Sequence, residues 1–136
     1  MKYLVLSLLL FFSLSSCEKS DNDAVGTQLD VQASCTITSP AEEIVVANSE
    51  EELSPLLEDR SLFPKVDFNR YTVILTHGRE SSGISYLSSK ISEQNGTWMI
   101  SVMIEHNYAT VMEPWVVAYL IPKTKDVSTK LQIIRE

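Results

Sequence analysis

An Asn-Gly pair in the second half of the chain constrains the fold more than any other feature. Asn95-Gly96 separates two stretches of strand length, 84–92 and 97–105. Both residues tolerate positive φ, so the pair predicts the tight turn of a β-hairpin. In the second arm β-branched and aromatic residues alternate with Met99, Ser101, Met103 and Glu105, as in a strand with one buried face. We therefore expect a core face made by Trp98, Ile100, Val102 and Ile104.

Further segments of strand length predict a mainly β domain. Residues 71–76 form a continuous apolar run, and residues 115–121 are apolar throughout, which indicates a central strand. Residues 129–134 predict a last strand, and two earlier segments are weaker candidates: 31–38 alternates weakly, and 44–47 is a short β-branched run. We expect a mainly β (α+β) fold, either an antiparallel β-sandwich or a partly open barrel of about six to seven strands.

One short helix is predicted near residues 49–59. Ser49 is followed three residues later by Glu52, which is the pattern of a capping box. Pro55 removes a backbone donor in the second turn, so we expect the helix to be short or kinked. Its apolar stripe consists of Leu53, Leu56 and Leu57.

Residues 1–16 have the layout of a secretory signal peptide. A basic start precedes an apolar run, and small residues then lead to Cys17. This segment resembles the lipobox of bacterial lipoproteins, which implies cleavage before Cys17 and its acylation, with chains such as palmitate. The alternatives are an ordinary signal peptide and a spanning helix, although the run is shorter than the ~20 residues that a span needs. We expect a protein of the cell envelope, anchored by lipid in the outer membrane.

The segment after Cys17 is polar and acidic. We interpret residues 17–30 as the lipidated cysteine with a flexible tether, and residues 31–136 as a single β-rich domain. The net charge of −7 disfavours nucleic acid as a partner, because phosphates would be repelled. If Cys17 is acylated, Cys35 has no partner in the chain. We expect a buried thiol there, with an intermolecular disulfide or a reactive thiol as the alternatives.

Several segments together resemble known families. The chain is similar to a family of small, uncharacterised lipoproteins from Bacteroidota, and more distantly to the PrcB-like domain found with bacterial surface proteases. The resemblance implies a partner in the envelope, and a protease is the partner that the distant family suggests. It brings no set of catalytic residues. The segments that carry it are 48–53 (NSEEEL), 66–75 (VDFNRYTVIL), 82–84 (SGI), 114–118 (PWVVA) and 121–123 (IPK).

Two histidines with nearby carboxylates form the first candidate site. If the strands at 71–76, 84–92 and 97–105 make a meander, His77 and His106 lie at one end of the sheet, about 10 Å apart. Histidines and carboxylates are the groups of a zinc site or of an acid–base pair. Their spacing matches no metal motif, and two histidines at a solvated rim explain the pattern as well. Glutamates that can join them are Glu80, Glu105 and Glu113.

The second candidate is a surface around Tyr108, which lies in a polar connection, and around the loop 78–83 that contains Arg79. We predict no catalytic residue, metal or cofactor, and we expect a non-enzymatic, lipid-anchored interaction module. The first alternative is a lipoprotein that binds glycans or peptides through an exposed aromatic ring. The second is a metal-dependent hydrolase. The predicted binding residues are His77, Arg79, Glu80, His106 and Tyr108.

Overall fold

The computed structural model describes residues 26–136, which form seven strands and one short helix. The helix α1 spans Glu50–Leu53 and continues into 3-10 turns at Ser54–Leu56 and Arg60–Leu62. Within this part of the chain, no helix has the length and apolar character needed to span a membrane. The strands are β1 Thr27–Leu29, β2 Val45–Ala47, β3 Tyr71–Glu80, β4 Ile84–Gln94, β5 Thr97–His106, β6 Glu113–Pro122 and β7 Ser128–Arg135.

The strands form two sheets that pack as a β-sandwich, which confirms the predicted fold class. Sheet A has the order β1-β6-β3-β2 and sheet B has the order β4-β5-β7. The two inner faces share one apolar core, and the hydroxyls of Ser89 and Tyr119 bond across the sheets at 2.6 Å. Trp98 belongs to this core and is 6% exposed, as its place in the alternation predicted. The other buried members are Ile74, Ile100, Val102, Ile104, Trp115, Val117, Tyr119 and Ile121.

A third layer covers the outer face of sheet A. Residues 31–68 fold over β3 and β6 and bury a second apolar cluster there. As a result β3 is buried on both faces, which is why 71–76 lacks the alternation of a half-exposed strand. Free Cys35 lies in this cluster and is 1% exposed, so the expected buried thiol is confirmed. The cluster consists of Cys35, Ile37, Ala47, Leu53, Leu57, Phe63, Val73, Leu75 and Ala118.

The helix begins as its capping residues predict and ends earlier. The backbone N–H of Glu52 donates to Oγ of Ser49 at 3.2 Å. The Glu52 carboxylate accepts instead from the N–H of Asn48, at 3.2 Å. The α-helix is confined to Glu50–Leu53, because Pro55 lies in the next turn and cannot donate an α-helical hydrogen bond.

Two expectations about strand pairing are wrong. The strands β3 and β4 do not pair in a meander, because β3 lies in sheet A and β4 in sheet B. The last strand is also not antiparallel, since β7 pairs parallel to β5 from Thr97↔Ser128 to Ile104↔Arg135. The chain crosses from sheet B to sheet A between β5 and β6 and returns between β6 and β7. It reverses direction at each crossing, so β7 runs in the same direction as β5.

The segments near the start of the domain also differ from expectation. Residues 31–38 form no strand, and only Ile37 makes an isolated bridge, to Leu57. The strand β1, by contrast, lies within the range assigned to the tether and pairs with β6. The paired part of the chain therefore begins at Thr27. The predicted signal peptide, residues 1–16, and Cys17 lie outside the described residues.

Candidate functional site

One end of the sandwich collects the residues that the sequence marks as functional candidates. The pairs Glu80↔Glu113, Ile84↔His106 and Ile104↔Arg135 bring the ends of β3, β4, β5, β6 and β7 together. We call this region the distal end and define it as residues 79–86, 105–114 and 134–136. The loop that was predicted to begin at Gly78 begins later, because β3 continues to Glu80.

A buried carboxylate lies at the centre of the distal end. Glu80 is 4% exposed, and its Oε1 accepts from Nε of Arg135 and from Nε2 of His106, both at 2.9 Å. Its Oε2 accepts from Nε1 of Trp115 at 3.0 Å and from Nη2 of Arg135 at 3.2 Å. Arg135 also pairs with Glu42. These five residues, which we call the Glu80 cluster, join sheet A to sheet B and to the covering layer.

The contacts of Glu80 fix its charge. Hydrogen bonds from Arg135 lower the pKa of Glu80 from 4.5 to about 2, against the effect of burial, and bonds from His106 and Trp115 add to this shift. The same pairing raises the pKa of Arg135. An ionised carboxylate that accepts four hydrogen bonds has no free basic site at neutral pH. The Glu80 cluster is therefore suited to hold the sheets together rather than to move a proton.

The two histidines do not share a site. His106 contacts Glu80, and its Nδ1 lies 3.2 Å from the backbone carbonyl oxygen of Glu136. His77 lies on the other face of β3, where its Nε2 donates to the carbonyl oxygen of Ser39 at 2.7 Å. Among residues 26–136, no group of three His, Cys, Asp or Glu side chains is placed to hold a metal ion.

Arg79 shares the face of His77 rather than that of Glu80, since successive side chains of a strand point to opposite faces. It is exposed and lies opposite Pro114 on β6. Of the predicted binding residues, the structure thus brings Glu80 and His106 together. It places His77 and Arg79 on the opposite face of sheet A.

Tyr108 is the most exposed aromatic residue of the described chain, at 87%, as its polar surroundings predicted. Its backbone is held in the left-handed region, with φ 63°. Oδ1 of Asn107 accepts from the N–H of Ala109 at 3.0 Å, and the N–H of Asn107 donates to the carbonyl of Gly83 at 2.9 Å. A Cβ on Gly83 would lie 2.3 Å from Oδ1 of Asn107, so only glycine allows this contact. The loop therefore holds the Tyr108 backbone in a fixed conformation.

Exposed apolar side chains gather at the distal end. Of the large apolar residues that are exposed between residues 26 and 136, all but Leu62 belong to this end. Such clustering marks binding surfaces more often than scattered exposure does. We call these residues the distal apolar set: Tyr86, Tyr108, Val111, Met112 and Ile134, whose exposure ranges from 41% to 87%.

The distal apolar set lies away from the point where the described chain begins. Thr27 pairs with Leu120, near the far end of β6, whereas the loop with Tyr108 joins β6 at Glu113. Along a strand these two positions of β6 are separated by about 20 Å. Thr27 and the loop with Tyr108 are thus at opposite ends of sheet A.

Sequence reasoning missed Arg135 as a partner of Glu80, and it missed Glu42 as the second partner of Arg135. A signal was present for Arg135, because Leu131, Ile133 and Arg135 share one face of β7, and a charge on a core face predicts a buried partner. Nothing local marks Glu42, whose backbone takes a positive φ of 62°.

Comparisons of this chain with protein-family models, with curated proteins and with solved structures gave no match.

Proposed function

We propose that the protein is a non-catalytic interaction module of the cell envelope, anchored through acyl chains on Cys17. The distal apolar set would contact a protein partner. One observation supports this proposal: most exposed apolar side chains lie at the end of the sandwich opposite to Thr27, near which the described chain begins. A module tethered at one end to a membrane offers its other end to partners.

The arrangement of charged groups supports a contact function over catalysis. The carboxylate of Glu80 is occupied by the donors of Arg135, His106 and Trp115. Cys35 is buried, and this burial raises the pKa of its thiol, which disfavours the nucleophilic thiolate. The resemblance to small lipoproteins and to PrcB-like domains supports an envelope partner, and a protease is the first class of partner to examine.

The anchor can be tested on protein isolated from membranes. Intact-mass measurement should give a chain that begins at Cys17 and carries the mass of two or three acyl chains. The variant Cys17→Ser should keep its leader and lose the acyl mass. An unmodified Cys17 in the native material would contradict the proposal.

The contact surface can be tested by co-purification from cross-linked envelopes. The double variant Tyr108→Ser, Met112→Ser should lose the partner that the unaltered protein recovers. Leu62→Ser, at an exposed apolar residue outside the distal end, is the matched control and should keep that partner. Equal recovery by all three proteins would exclude the distal apolar set as the contact.

Binding of a glycan through Tyr108 is the second candidate, because a ring that is 87% exposed can stack on a sugar. A glycan array probed with the full chain and with Tyr108→Ser separates the two functions. Glycan binding that depends on Tyr108 would favour this candidate over a protein contact.

A further inference from the structure

The outer face of sheet A is covered incompletely at its distal end. The buried cluster under the covering layer ends on β3 at Leu75, although Ser39 and Glu42 of this layer still bond His77. Two cross-strand pairs lie beyond Leu75, His77 with Val116 and Arg79 with Pro114. All four are on the outer face, and they form the floor of a cleft.

The walls of the cleft come from the covering layer. Residues 33–37 form one side and Ala41 adjoins them, and the volume is about 350 Å³. Sites for small molecules start at about this size. The lining includes Cys35 and Ile37, and it is somewhat more apolar than polar.

One cationic group lies in the cleft without a counter-ion. Arg79 forms no hydrogen bond or ion pair with any side chain of residues 26–136. The acidic groups nearest along the sheet are engaged elsewhere: Glu80 on the opposite face with Arg135, and Glu113 with the N–H of Ile84 at 2.8 Å. The positive charge at the rim of the cleft is therefore not neutralised by these carboxylates.

The histidine of the floor is fixed in place. Nε2 of His77 donates to the carbonyl oxygen of Ser39 at 2.7 Å, which holds the ring against the covering layer. The cleft thus combines the apolar surface of Pro114 and Val116 with a single guanidinium, that of Arg79. A planar guanidinium pairs with a carboxylate through two parallel hydrogen bonds.

We propose that this cleft binds an apolar group that ends in a carboxylate. The apolar part lies on Val116, Pro114 and Ile37, and the carboxylate pairs with Arg79. Such a group occurs in a small carboxylic acid and in the C-terminal residue of a peptide. The inference is independent of the contact function proposed for the distal apolar set.

The test uses the full chain in lipid nanodiscs, with empty nanodiscs as the blank, and 3-phenylpropanoate as the probe in isothermal titration. Saturable binding is expected, and Arg79→Gln should weaken it about tenfold or more, since a charge-assisted bidentate pair is lost. Arg70→Gln, at another exposed arginine, is the matched control and should leave the affinity unchanged. The uncharged analogue 3-phenylpropanamide should not bind measurably.

The dipeptide Gly-Phe and its C-terminal amide distinguish the two sources. Binding of Gly-Phe at least as tight as that of 3-phenylpropanoate assigns the cleft to peptide C-termini, whereas binding of the free acid alone assigns it to small carboxylic acids. The proposal is overturned if neither 3-phenylpropanoate nor Gly-Phe shows saturable binding, or if Arg79→Gln binds as tightly as the unaltered protein. It is also overturned if either amide binds as tightly as its carboxylate.

Discussion

The carboxylate of Glu80 is the most strongly perturbed acid of the described chain. Its partners come from β5, β6 and β7, so a single ionised side chain links the two sheets. Removing one member of a buried ion pair leaves the other charge without compensation, and this costs more than the pair itself contributes. At the scale of the residue, Glu80 is the position where the fold is most sensitive to loss of charge.

We predict that Glu80→Gln lowers the free energy of unfolding by about 3 kcal/mol at pH 7. The pKa of Glu80 is about 2 in the fold and 4.5 without its partners. Its ionised form therefore stabilises the fold fully above pH 4.5, and this contribution is lost as the pH falls towards 2. Urea unfolding at several pH values measures both effects.

The matched control for this prediction is Glu105→Gln, a half-buried glutamate on the outer face of sheet B. It should leave the urea midpoint nearly unchanged at neutral pH. If a fall in pH lowers the free energy of unfolding by the same amount in Glu80→Gln and in the unaltered protein, Glu80 is not the source of the pH dependence.

Tyr108 combines exposure with an unfavourable backbone conformation. Its φ of 63° lies in the left-handed region, which costs a residue with a Cβ about 1 kcal/mol relative to glycine. We predict that Tyr108→Gly is about 1 kcal/mol more stable than Tyr108→Ala, measured by thermal or urea unfolding. Equal stabilities would mean that the loop relaxes to negative φ when the ring is removed. If Tyr108→Gly is more stable than the unaltered protein, this would indicate that Tyr108 serves contact with a partner rather than stability.

At the scale of the element, β7 is an edge strand. Like β4, it pairs only with β5 in sheet B. Near its end, Arg135 bonds Glu80 and Glu42, which lie on sheet A and in the covering layer. The Glu80 cluster therefore ties the end of this edge strand to the rest of the sandwich.

We predict that Arg135→Gln speeds amide hydrogen exchange at the end of β7 and in the paired part of β5. The centre of β3, which is buried on both faces, should keep its protection. Lys130→Gln, at an exposed residue of the same strand, is the control and should leave exchange unchanged. Faster exchange throughout the domain would instead mean that Arg135 supports global stability and not one strand.

The long strands and the hairpin of β4 with β5 were predictable from sequence, whereas the other pairings and the short strand β1 were not. The alternation in β5 and the turn at Asn95-Gly96 depend on neighbouring residues, so local patterns identify them. Parallel and antiparallel strands share the same period of two, and therefore no pattern in 129–134 distinguishes the direction of β7. Assignment of β3 and β4 to different sheets depends likewise on contacts that are distant in sequence.

The candidate site was predictable only in part, for the same reason. Exposure of Tyr108 follows from its polar neighbours, and the burial of Trp98 follows from its strand period. The contacts of Arg135 with Glu80 and Glu42 join segments far apart along the chain, and no spacing motif encodes them. The burial of both faces of β3 was not predictable either, because it depends on the covering layer of residues 31–68.

At the scale of the whole molecule, the proposed function depends on where the distal apolar set lies relative to Thr27. The described chain enters sheet A at Thr27, beside Leu120, while Tyr108, Val111 and Met112 lie beyond the other end of β6. The net charge of −7 adds repulsion from anionic lipid, which disfavours a distal end that lies on such a membrane. A tethered domain of this form is expected to present Tyr108 to a protein.

Photo-cross-linking in intact envelopes tests this central claim most directly. A photoreactive phenylalanine analogue is placed at position 108 and, as a control, at position 62, which is exposed outside the distal end. The account predicts a discrete protein adduct from position 108 that Met112→Ser weakens, and no such adduct from position 62. Adducts only with lipid from position 108, or the same protein adduct from both positions, would contradict it.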